Sequence, residues 1–424
     1  MTLSETVEPV TRPPVGAATA TLRVAFVGEV DHGKSTLLGR LLYDTGTITP
    51  DRLGTDIADG GLAFLLDGLS EERDELFTLD TAQAVMETAT RQLVLIDVPG
   101  HVELLKNMVT GASRADLGVV VVDAVTGATD QTRRHLRVLD LLGIATVVLA
   151  VTKVDTIGYA EARFREVESQ FAEMCAECGL RVAAAVPVSA IEGSNVVTAD
   201  STRLPWYQGE SLLATLLGFE ASCARSALVR FVVQAVVGRH GPRRVAGRVE
   251  SGVLRPGTVL TDPDGTVYAV RRVERYGEGP LTEAVEGDSV GLTLDGPEPR
   301  PGTILAPADQ APRAGRLWHT RILVTAEGAA LTDGMPCTVR YASTSTTGHV
   351  AHVDRRWDSA TLAAAPPGAV GFTEFADVRL RFDRPVPADP VGDCAPLGRF
   401  MLCAADGRAL ALGVVGRVDM EDAS

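Results

Sequence analysis

The chain has 424 residues, of which 45% are hydrophobic, and a formal net charge of -15 at pH 7. A chain of this length exceeds what one hydrophobic core usually supports, so we expect two or three domains. The acidic balance disfavours nucleic acid as a partner, because binding it needs lysine and arginine to displace counterions. No apolar run approaches the roughly 20 residues of a membrane span, and six scattered cysteines give no disulfide framework. We therefore expect a cytoplasmic globular protein with no membrane contact.

A glycine-rich stretch follows the first predicted strand. It reads Gly-Glu-Val-Asp-His-Gly-Lys-Ser-Thr over residues 28–36, between an apolar run at 22–27 and an amphipathic run at 37–43. A strand, glycine loop and helix in this order and spacing are typical of a P-loop, which binds the phosphates of a nucleoside triphosphate. The residues predicted to bind the nucleotide in this loop are Gly28, Val30, Asp31, His32, Gly33, Lys34, Ser35 and Thr36.

Several parts of the loop have a predicted task. The glycines let the backbone approach a phosphate with its N–H groups pointing inward. Lys34 would reach the terminal phosphates, and the Ser35 hydroxyl would bind Mg²⁺. His32 is expected to brace the loop rather than to take part in catalysis.

Five apolar runs alternate with helical patterns across the first half of the chain. Near-continuous apolar strands separated by helices predict an α/β domain with a mostly parallel sheet that is covered on both faces. Ligands of such sheets lie beyond the carboxyl ends of the strands. The predicted strands are 22–27, 93–97, 117–123, 146–151 and 184–188.

Polar residues at the ends of these strands indicate which nucleotide binds. The second strand ends at Asp97, which can hold the Mg²⁺ shell, and Gly100 follows with a backbone N–H for a terminal phosphate. The fourth is followed by Asp155, whose carboxylate can accept two hydrogen bonds from guanine that adenine cannot offer. Ser189 and Ala190 follow the fifth strand in a small loop suited to closing over a base. Their order after a P-loop predicts a GTP-binding domain.

These motifs together resemble the translation-factor class of GTPases. The resemblance rests on the P-loop, on Asp-Val-Pro-Gly-His at 97–101 and on Thr-Lys-Val-Asp at 152–155. Within that class, further strings resemble the GTPase subunit of bacterial sulfate adenylyltransferase (ATP sulfurylase). These strings lie at 38–45, 106–113, 131–135, 204–209 and 211–213.

The resemblance implies further site residues. His101 stands where the class orients the attacking water, and Thr78 where a threonine ligates Mg²⁺ when the γ-phosphate is present. Thr152 and Lys153 precede Asp155 in the guanine motif, and Thr152 replaces the asparagine that is usual there. Its hydroxyl can take over some of the loop-bracing bonds of that amide. Leu76 replaces a family glycine in the first switch, residues 44–80, so the backbone there is expected to be strained or to follow another path.

The second half of the chain has a different pattern, with short alternating runs and glycine turns that are typical of β-barrels. The stretch 306–315 is rich in proline and alanine and is predicted to be a linker. The expected fold class is therefore an α/β P-loop GTPase domain followed by two β-barrel domains. The expected organisation is a flexible arm without a secretory signal at 1–20, the GTP-binding domain at 21–220, and barrels at 227–305 and 315–424.

Two cysteines at Cys175 and Cys178 have the spacing of half a metal site. They also continue the apolar stripe of Phe164, Val167 and Phe171 along one predicted helix face. Because the chain has no second cysteine or histidine pair at zinc-ligand spacing, we predict that both cysteines belong to the core.

The resemblance implies a subunit of a hetero-oligomeric enzyme. A separate small subunit would bind ATP and sulfate and form adenosine 5′-phosphosulfate, while this chain, with GTP and Mg²⁺, would couple GTP hydrolysis to that uphill reaction. Two alternatives remain open. One is a translation-elongation-type GTPase that delivers charged tRNA, which the acidic balance disfavours. The other is a GTP-binding scaffold whose hydrolysis has been lost through the altered first switch.

We predict that His101→Ala leaves GTP binding intact and lowers GTP hydrolysis by about two orders of magnitude or more, the scale expected for a group that positions the attacking water. Single-turnover phosphate release and the dissociation constant for a non-hydrolysable GTP analogue measure the two effects separately. Unchanged turnover in this variant would refute the catalytic role of His101.

Overall fold

The computed structural model describes residues 21–48, 83–98, 115–220, 228–237, 244–275, 277, 279–359, 363–366 and 368–419. Leu76, Thr78, Gly100 and His101 lie outside these ranges, as do most of the first switch and the string at 106–113. The structure therefore bears on the remaining predicted site residues.

The first half of the chain forms a six-stranded sheet with helices on both faces. Its strands are β1 (Thr21–Gly28), β2 (Gln83–Glu87), β3 (Gln92–Asp97), β4 (Leu117–Asp123), β5 (Thr146–Thr152) and β6 (Arg181–Pro187). Its helices are α1 (Lys34–Asp44), α2 (Asp130–Leu141), α3 (Glu161–Cys178) and α4 (Leu212–Gly218). The strand order is β2-β3-β1-β4-β5-β6.

All five predicted strands form and pair in parallel, which confirms the predicted sheet. Strand β2 was not predicted, and it pairs antiparallel with β3 at the edge of the sheet. Of its five residues only Met86 is fully buried, so the sequence there has no continuous apolar run. The sheet is therefore mixed at this one edge.

Side chains of β1 alternate between two apolar layers. Val24 and Phe26 belong to the layer that contains α1 and α4, whereas Ala25 and Val27 belong to the layer that contains α2 and α3. Both layers are closely packed, so the sheet holds its carboxyl-end loops on a rigid base.

Helix α3 confirms the prediction for the two cysteines. Cys175 and Cys178 are buried in the same apolar cluster as Phe164 and Phe171. Burial raises the pKa of Cys175 to about 12, as expected for a thiol packed in an apolar core.

A first barrel follows. Its strands are β7 (Arg230–Val237), β8 (Arg244–Ser251), β9 (Val253–Leu254), β10 (Val259–Thr261), β11 (Val267–Arg275), β12 (Gly279–Leu281), β13 (Ala284–Val285), β14 (Ser289–Asp295) and β15 (Ile304–Leu305). The main path runs β10-β11-β14-β8-β7-β15. Thr261 and Ala306 exchange two backbone hydrogen bonds of 2.7 and 3.1 Å, which close the barrel between β10 and the end of β15.

A second barrel completes the described chain. Its elements are β16 (Arg313–Val324), β17 (Pro336–Tyr341), β18 (Thr344–Asp358), β19 (Ala364–Ala365), β20 (Glu374–Ala388), α5 (Ala395–Gly398), β21 (Arg399–Cys403) and β22 (Ala409–Asp419). The order is β17-β21-β22-β16-β20-β18, and pairing of β17 with β18 closes it. Trp318 is fully buried in the barrel core, against the rings of Tyr341, Phe382 and Phe400. The predicted fold class, a mostly parallel α/β domain followed by two β-barrels, is confirmed.

The predicted linker at 306–315 is shorter than expected. Ala306 is part of the closure of the first barrel, and β16 already begins at Arg313. Arg313, Ala314 and Gly315 lack a strand-like pattern, but they pair with the far end of β20. Tertiary pairing therefore extends this strand beyond what its own residues indicate.

The two barrels are joined by a buried ion pair. The Arg230 guanidinium in β7 donates hydrogen bonds of 2.7 and 2.9 Å to the two carboxylate oxygens of Asp389, which follows β20. Their side chains are only 2% and 4% exposed. Val232 lies two residues after Arg230 in β7, and Ile304 of β15 pairs with it. Both side chains belong to the apolar core of the second barrel. The barrels therefore pack as one unit.

The second barrel also packs on the α/β domain. Leu323, Phe375 and Leu412 belong to the same apolar cluster as α2 and α3. Arg399 donates a hydrogen bond to the carbonyl oxygen of Leu142, at the end of α2. Helix α2 is therefore held directly by the second barrel.

We predict that Arg230→Met destabilises the protein by about 3–5 kcal/mol, because it leaves the carboxylate of Asp389 buried without its partner. The double variant Arg230→Met with Asp389→Leu should recover most of the loss. The denaturation midpoint, followed by intrinsic fluorescence, measures both effects.

Arg271→Met is the matched control. Its ion pair with Asp295 is exposed, so we expect no measurable shift of the midpoint. Equal shifts for Arg230→Met and Arg271→Met would contradict the role of the buried pair.

Candidate functional site

The loop between β1 and α1 has a tight backbone, as the predicted phosphate-binding turn requires. A Cβ atom at Gly28 would lie 2.7 Å from the carbonyl oxygen of Val121 in β4, so only glycine fits there. Gly33, which precedes α1, has a φ of 81°, and Asp31 has a φ of 65°. Glycine adopts such angles freely and aspartate tolerates them. The predicted glycine positions are therefore required by the geometry.

Lys34 and Asp97 meet at the carboxyl ends of the strands. Lys34 is the first residue of α1, Asp97 is the last residue of β3, and the Lys34 ammonium contacts the Asp97 carboxylate. The Lys34 side chain is only 8% exposed and that of Asp97 16%. A cation suited to a phosphate and a carboxylate suited to a metal ion thus lie side by side.

The end of β5 and the residue that follows it brace the P-loop. The Thr152 hydroxyl donates a 2.6 Å hydrogen bond to the carbonyl oxygen of His32. The Lys153 ammonium donates a 2.6 Å hydrogen bond to the carbonyl oxygen of Asp31. The structure therefore brings together the phosphate motif and the guanine motif, which are about 120 residues apart in the sequence.

His32 is only 4% exposed. Its Nδ1 lies 3.4 Å from the carbonyl oxygen of Val121, and its Nε2 lies 3.9 Å from the Glu29 carboxylate. Both contacts are within the loop or with the neighbouring strand, as expected for a bracing residue.

Two acidic residues of the site were missed by the sequence analysis. Asp123, at the end of β4, forms a 2.8 Å ion pair with Lys153. Burial raises the pKa of Asp123, but hydrogen bonds from Lys153 and from the Val125 N–H outweigh it, so the pKa lies below its usual range. The position of Asp123, at a strand end like Asp97, was a signal that could have identified it.

Glu29 is the second of these residues. Its carboxylate accepts hydrogen bonds from the hydroxyls of Thr129 and Thr132, at the start of α2. Thr129 is the N-cap residue of that helix. The P-loop is therefore connected to α2 as well as to β5. Nothing in the sequence around Glu29 indicates a partner 100 residues away.

Asp155 lies in a short 3₁₀ turn, Val154–Ile157, directly after β5. It is half-buried, and no described residue donates a hydrogen bond to its carboxylate. An unengaged carboxylate at this place has both oxygens available for the N–H donors of a base.

Ser189 and Ala190 form the neighbouring loop after β6. Ser189 is fully buried, and its hydroxyl accepts a 3.2 Å hydrogen bond from the Glu192 N–H. Arg40 of α1 donates to the carbonyl oxygens of Ala190 and Ile191, at 3.4 and 2.7 Å. The helix that begins at the P-loop therefore also holds this loop.

The remaining P-loop residues have open surroundings. Val30 is 54% exposed at the tip of the loop, and Ser35 and Thr36 are half-buried in the first turn of α1.

Among the helices of the described ranges, none is long and apolar enough to cross a bilayer.

Comparisons with known proteins match the same two parts of the chain. Residues 19–237 match the family model described as the elongation factor Tu GTP binding domain. Residues 318–416 match the family model described as GTP-eEF1A C-terminal domain-like. The first match covers the P-loop, the guanine motif and the whole six-stranded sheet.

Several known proteins are similar to this one over nearly the whole chain. Sulfate adenylyltransferase subunit 1 of Rhizobium rhizogenes is 34% identical over 96% of this chain and 85% of its own. Elongation factor 1-alpha of Pyrococcus furiosus is 34% identical over 93% of this chain and 97% of its own. Among solved structures, the Ski7 GTPase-like domain of S. cerevisiae bound to GTP has a TM-score of 0.55 at 17% identity, over 93% of this chain and 97% of that one. The last similarity concerns the fold alone.

We predict that Thr152→Val weakens GDP binding by roughly tenfold. The substitution keeps the shape of the side chain and removes one buried hydrogen bond to the P-loop, a loss of about 1–2 kcal/mol. Titration with a fluorescent GDP analogue measures the effect.

Thr146→Val is the matched control in the same strand. Thr146 is buried at the other end of β5, and its hydroxyl accepts a 3.2 Å hydrogen bond from Arg181, away from the P-loop. We expect GDP affinity to be unchanged. The same loss in both variants would mean that general damage to β5, rather than the bond to His32, weakens binding.

Proposed function

The chain belongs to the family of the elongation factor Tu GTP binding domain, and we propose that it is the GTP-hydrolysing subunit of a sulfate adenylyltransferase. It would couple GTP hydrolysis to the transfer of an adenylyl group from ATP to sulfate on a partner subunit. The observation that carries the nucleotide part is the contact between Lys34 and Asp97. It brings a cation for a phosphate beside a carboxylate for a metal ion, where ligands of parallel sheets bind.

The sulfate part of the proposal rests on similarity along the whole chain. The Rhizobium rhizogenes relative is named as subunit 1 of sulfate adenylyltransferase, and its similarity spans 96% of this chain rather than the GTP-binding domain alone. The strings at 38–45 and 204–209 favour the same branch of the family.

The residues present suit Mg²⁺. Ser35 and Asp97 offer the oxygen donors that this ion prefers, and Thr78 is expected to add another. Within the described ranges, no three acidic, histidine or cysteine side chains lie close enough together to hold a metal ion with protein ligands alone. Such a donor set fits an ion that is shared between one or two protein oxygens and nucleotide phosphates. Bound there, Mg²⁺ would neutralise charge on the phosphates.

The chain's own residues would position the reactants, since phosphoryl transfer to water depends mainly on positioning and electrostatics. Lys34 would bind the terminal phosphates, and Asp155 would accept the two N–H donors of guanine. Ser189 and Ala190 would close over the base. His101 would orient the attacking water.

The proposed partner is the small subunit that binds ATP and sulfate, in a cytoplasmic hetero-oligomer. Coupling requires that the nucleotide state change the contacts between the subunits. We expect residues 44–80 and the segment after His101 to make these contacts.

A second candidate function is the delivery of charged tRNA. It is favoured by the 34% identity to elongation factor 1-alpha of Pyrococcus furiosus over nearly the whole of both chains. The net charge of -15 is less suited to a nucleic-acid partner than to a protein one.

We predict that the chain co-purifies with the small subunit of a sulfate adenylyltransferase from the same organism. In that complex, GTP should increase sulfate-dependent pyrophosphate release from ATP, and GDP and phosphate should form along with adenosine 5′-phosphosulfate. A non-hydrolysable GTP analogue should not give this increase. No effect of GTP would refute the sulfate proposal, and retention of aminoacyl-tRNA by the isolated GTP-bound chain would favour the second candidate.

Asp155→Asn is the specificity control for the same assay. An asparagine amide pairs with xanthine better than with guanine. In this variant, XTP rather than GTP should therefore increase pyrophosphate release. If GTP still increased pyrophosphate release more than XTP did, the assignment of Asp155 to the base would be contradicted.

A further inference from the structure

The turn that carries Asp155 has an unusual backbone. Lys153, Gly158 and Tyr159 all have left-handed φ values, of 57°, 62° and 58°. Two of these residues are not glycine, and a side chain disfavours that conformation. Contacts from elsewhere must therefore hold the turn in shape. Lys153 is fixed by its bonds to Asp31 and Asp123, which leaves the far end of the turn, at Tyr159, to be explained.

Trp206 holds that far end. Its indole N–H donates a 2.9 Å hydrogen bond to the carbonyl oxygen of Tyr159. The indole itself is fixed by α3, since its ring centroid lies 5.3 Å from that of Phe164 and the Arg165 guanidinium lies over it at 5.8 Å. Trp206 thus connects a rigid helix to the strained turn.

Asp200 acts in the same way on the neighbouring loop. Its carboxylate accepts a 2.8 Å hydrogen bond from the Ser194 hydroxyl, and the carbonyl oxygen of Ser194 accepts the N–H of Ser189 at 3.1 Å. The Ser194 hydroxyl also lies 3.5 Å from that of Tyr159. The two loops predicted to hold the base therefore meet at Ser194.

Asp200 is itself held firmly. Its backbone N–H donates a 2.7 Å hydrogen bond to the Asn195 side chain, and Arg203 forms a 3.1 Å ion pair with its carboxylate. Burial raises the pKa of Asp200, but hydrogen bonds from Ser194 and Arg203 outweigh it, so the pKa lies below its usual range. Asp200 is therefore charged at neutral pH and accepts these bonds.

We infer that Trp206 and Asp200 are positioning residues for guanine recognition. Trp206 belongs to the 204–209 string, to which the sequence alone assigns no role. They act through the Tyr159 turn and the Ser189 loop and do not touch the base. This inference rests on the proposed binding of GTP. Packing of the ring alone does not decide which acceptor the indole N–H finds, and the single hydrogen bond of Trp206 goes to this turn.

The test compares Trp206→Phe with Tyr207→Phe in the full chain. Trp206→Phe keeps an aromatic ring and removes the N–H donor to Tyr159. The Tyr207 hydroxyl has one proton, which the carbonyl oxygens of Ala185 and Glu210 can accept at 3.1 and 3.2 Å, so Tyr207→Phe removes a hydrogen bond that does not reach the Asp155 turn. Dissociation constants for GDP and IDP are measured for both variants and for the wild type, and the constant for ADP is measured for the wild type.

The ratio of the two constants reports the position of the Asp155 carboxylate. IDP lacks the exocyclic amine of guanine, so it can give Asp155 only one of the two hydrogen bonds. In Trp206→Phe we expect GDP binding to weaken roughly two- to tenfold, as for one lost hydrogen bond, and IDP binding to weaken less. The preference for GDP over IDP should therefore fall, while Tyr207→Phe should keep it.

Ser194→Ala is a second variant, in case Trp206→Phe does not fold. It removes the hydroxyl that joins Asp200 to the Tyr159 turn, and the same fall in preference is expected. An unchanged preference in the folded variants, with a wild type that selects guanine, overturns only this inference. A wild type that binds ADP as well as GDP overturns the proposed GTP binding and this inference with it.

Discussion

Two hydrogen bonds, from the last residue of β5 and from the residue after it, fix the P-loop, and much of the site depends on them. The Thr152 hydroxyl and the Lys153 ammonium engage the carbonyl oxygens of His32 and Asp31, each at 2.6 Å. Carbonyl oxygens that are bonded away from the loop leave its N–H groups free to face an anion. Because the donors belong to the guanine motif, the phosphate side and the base side of the site are one connected structure.

Helix α2 carries contacts from this site to the barrels. At its start, Thr129 bonds to Glu29 of the P-loop, and at its end the Leu142 carbonyl accepts a hydrogen bond from Arg399. Arg134 adds a 2.9 Å bond to Ser359 of the second barrel. The buried pair between Arg230 and Asp389 then joins that barrel to the first one. A continuous series of hydrogen bonds and ion pairs therefore runs from the P-loop through α2 to both barrels.

The sequence sufficed for features in which residue type alone sets the chemistry. The P-loop glycines, Lys34 and Asp97 lie together as predicted, and the five core strands were visible as apolar runs. Contacts between distant loops were not visible, since nothing near Glu29 points to Thr129 and nothing near Trp206 points to Tyr159. Such contacts depend on how the loops pack once the sheet has formed. Strand β2 and the start of β16 were missed for a similar reason, because their partners rather than their own residues extend them.

The threonine at 152 shows how a change of motif can be accommodated. The Thr152 side chain is 1% exposed, and its hydroxyl lies 2.6 Å from the His32 carbonyl and 3.3 Å from that of Val122. It has one proton to donate, whereas an asparagine amide has two. Lys153 supplies another donor to the loop, and Asp123 holds its ammonium in place. The phosphate side is thus braced without the amide. The turn after Lys153 is held at its far end by the contacts of Tyr159 with Trp206 and Ser194.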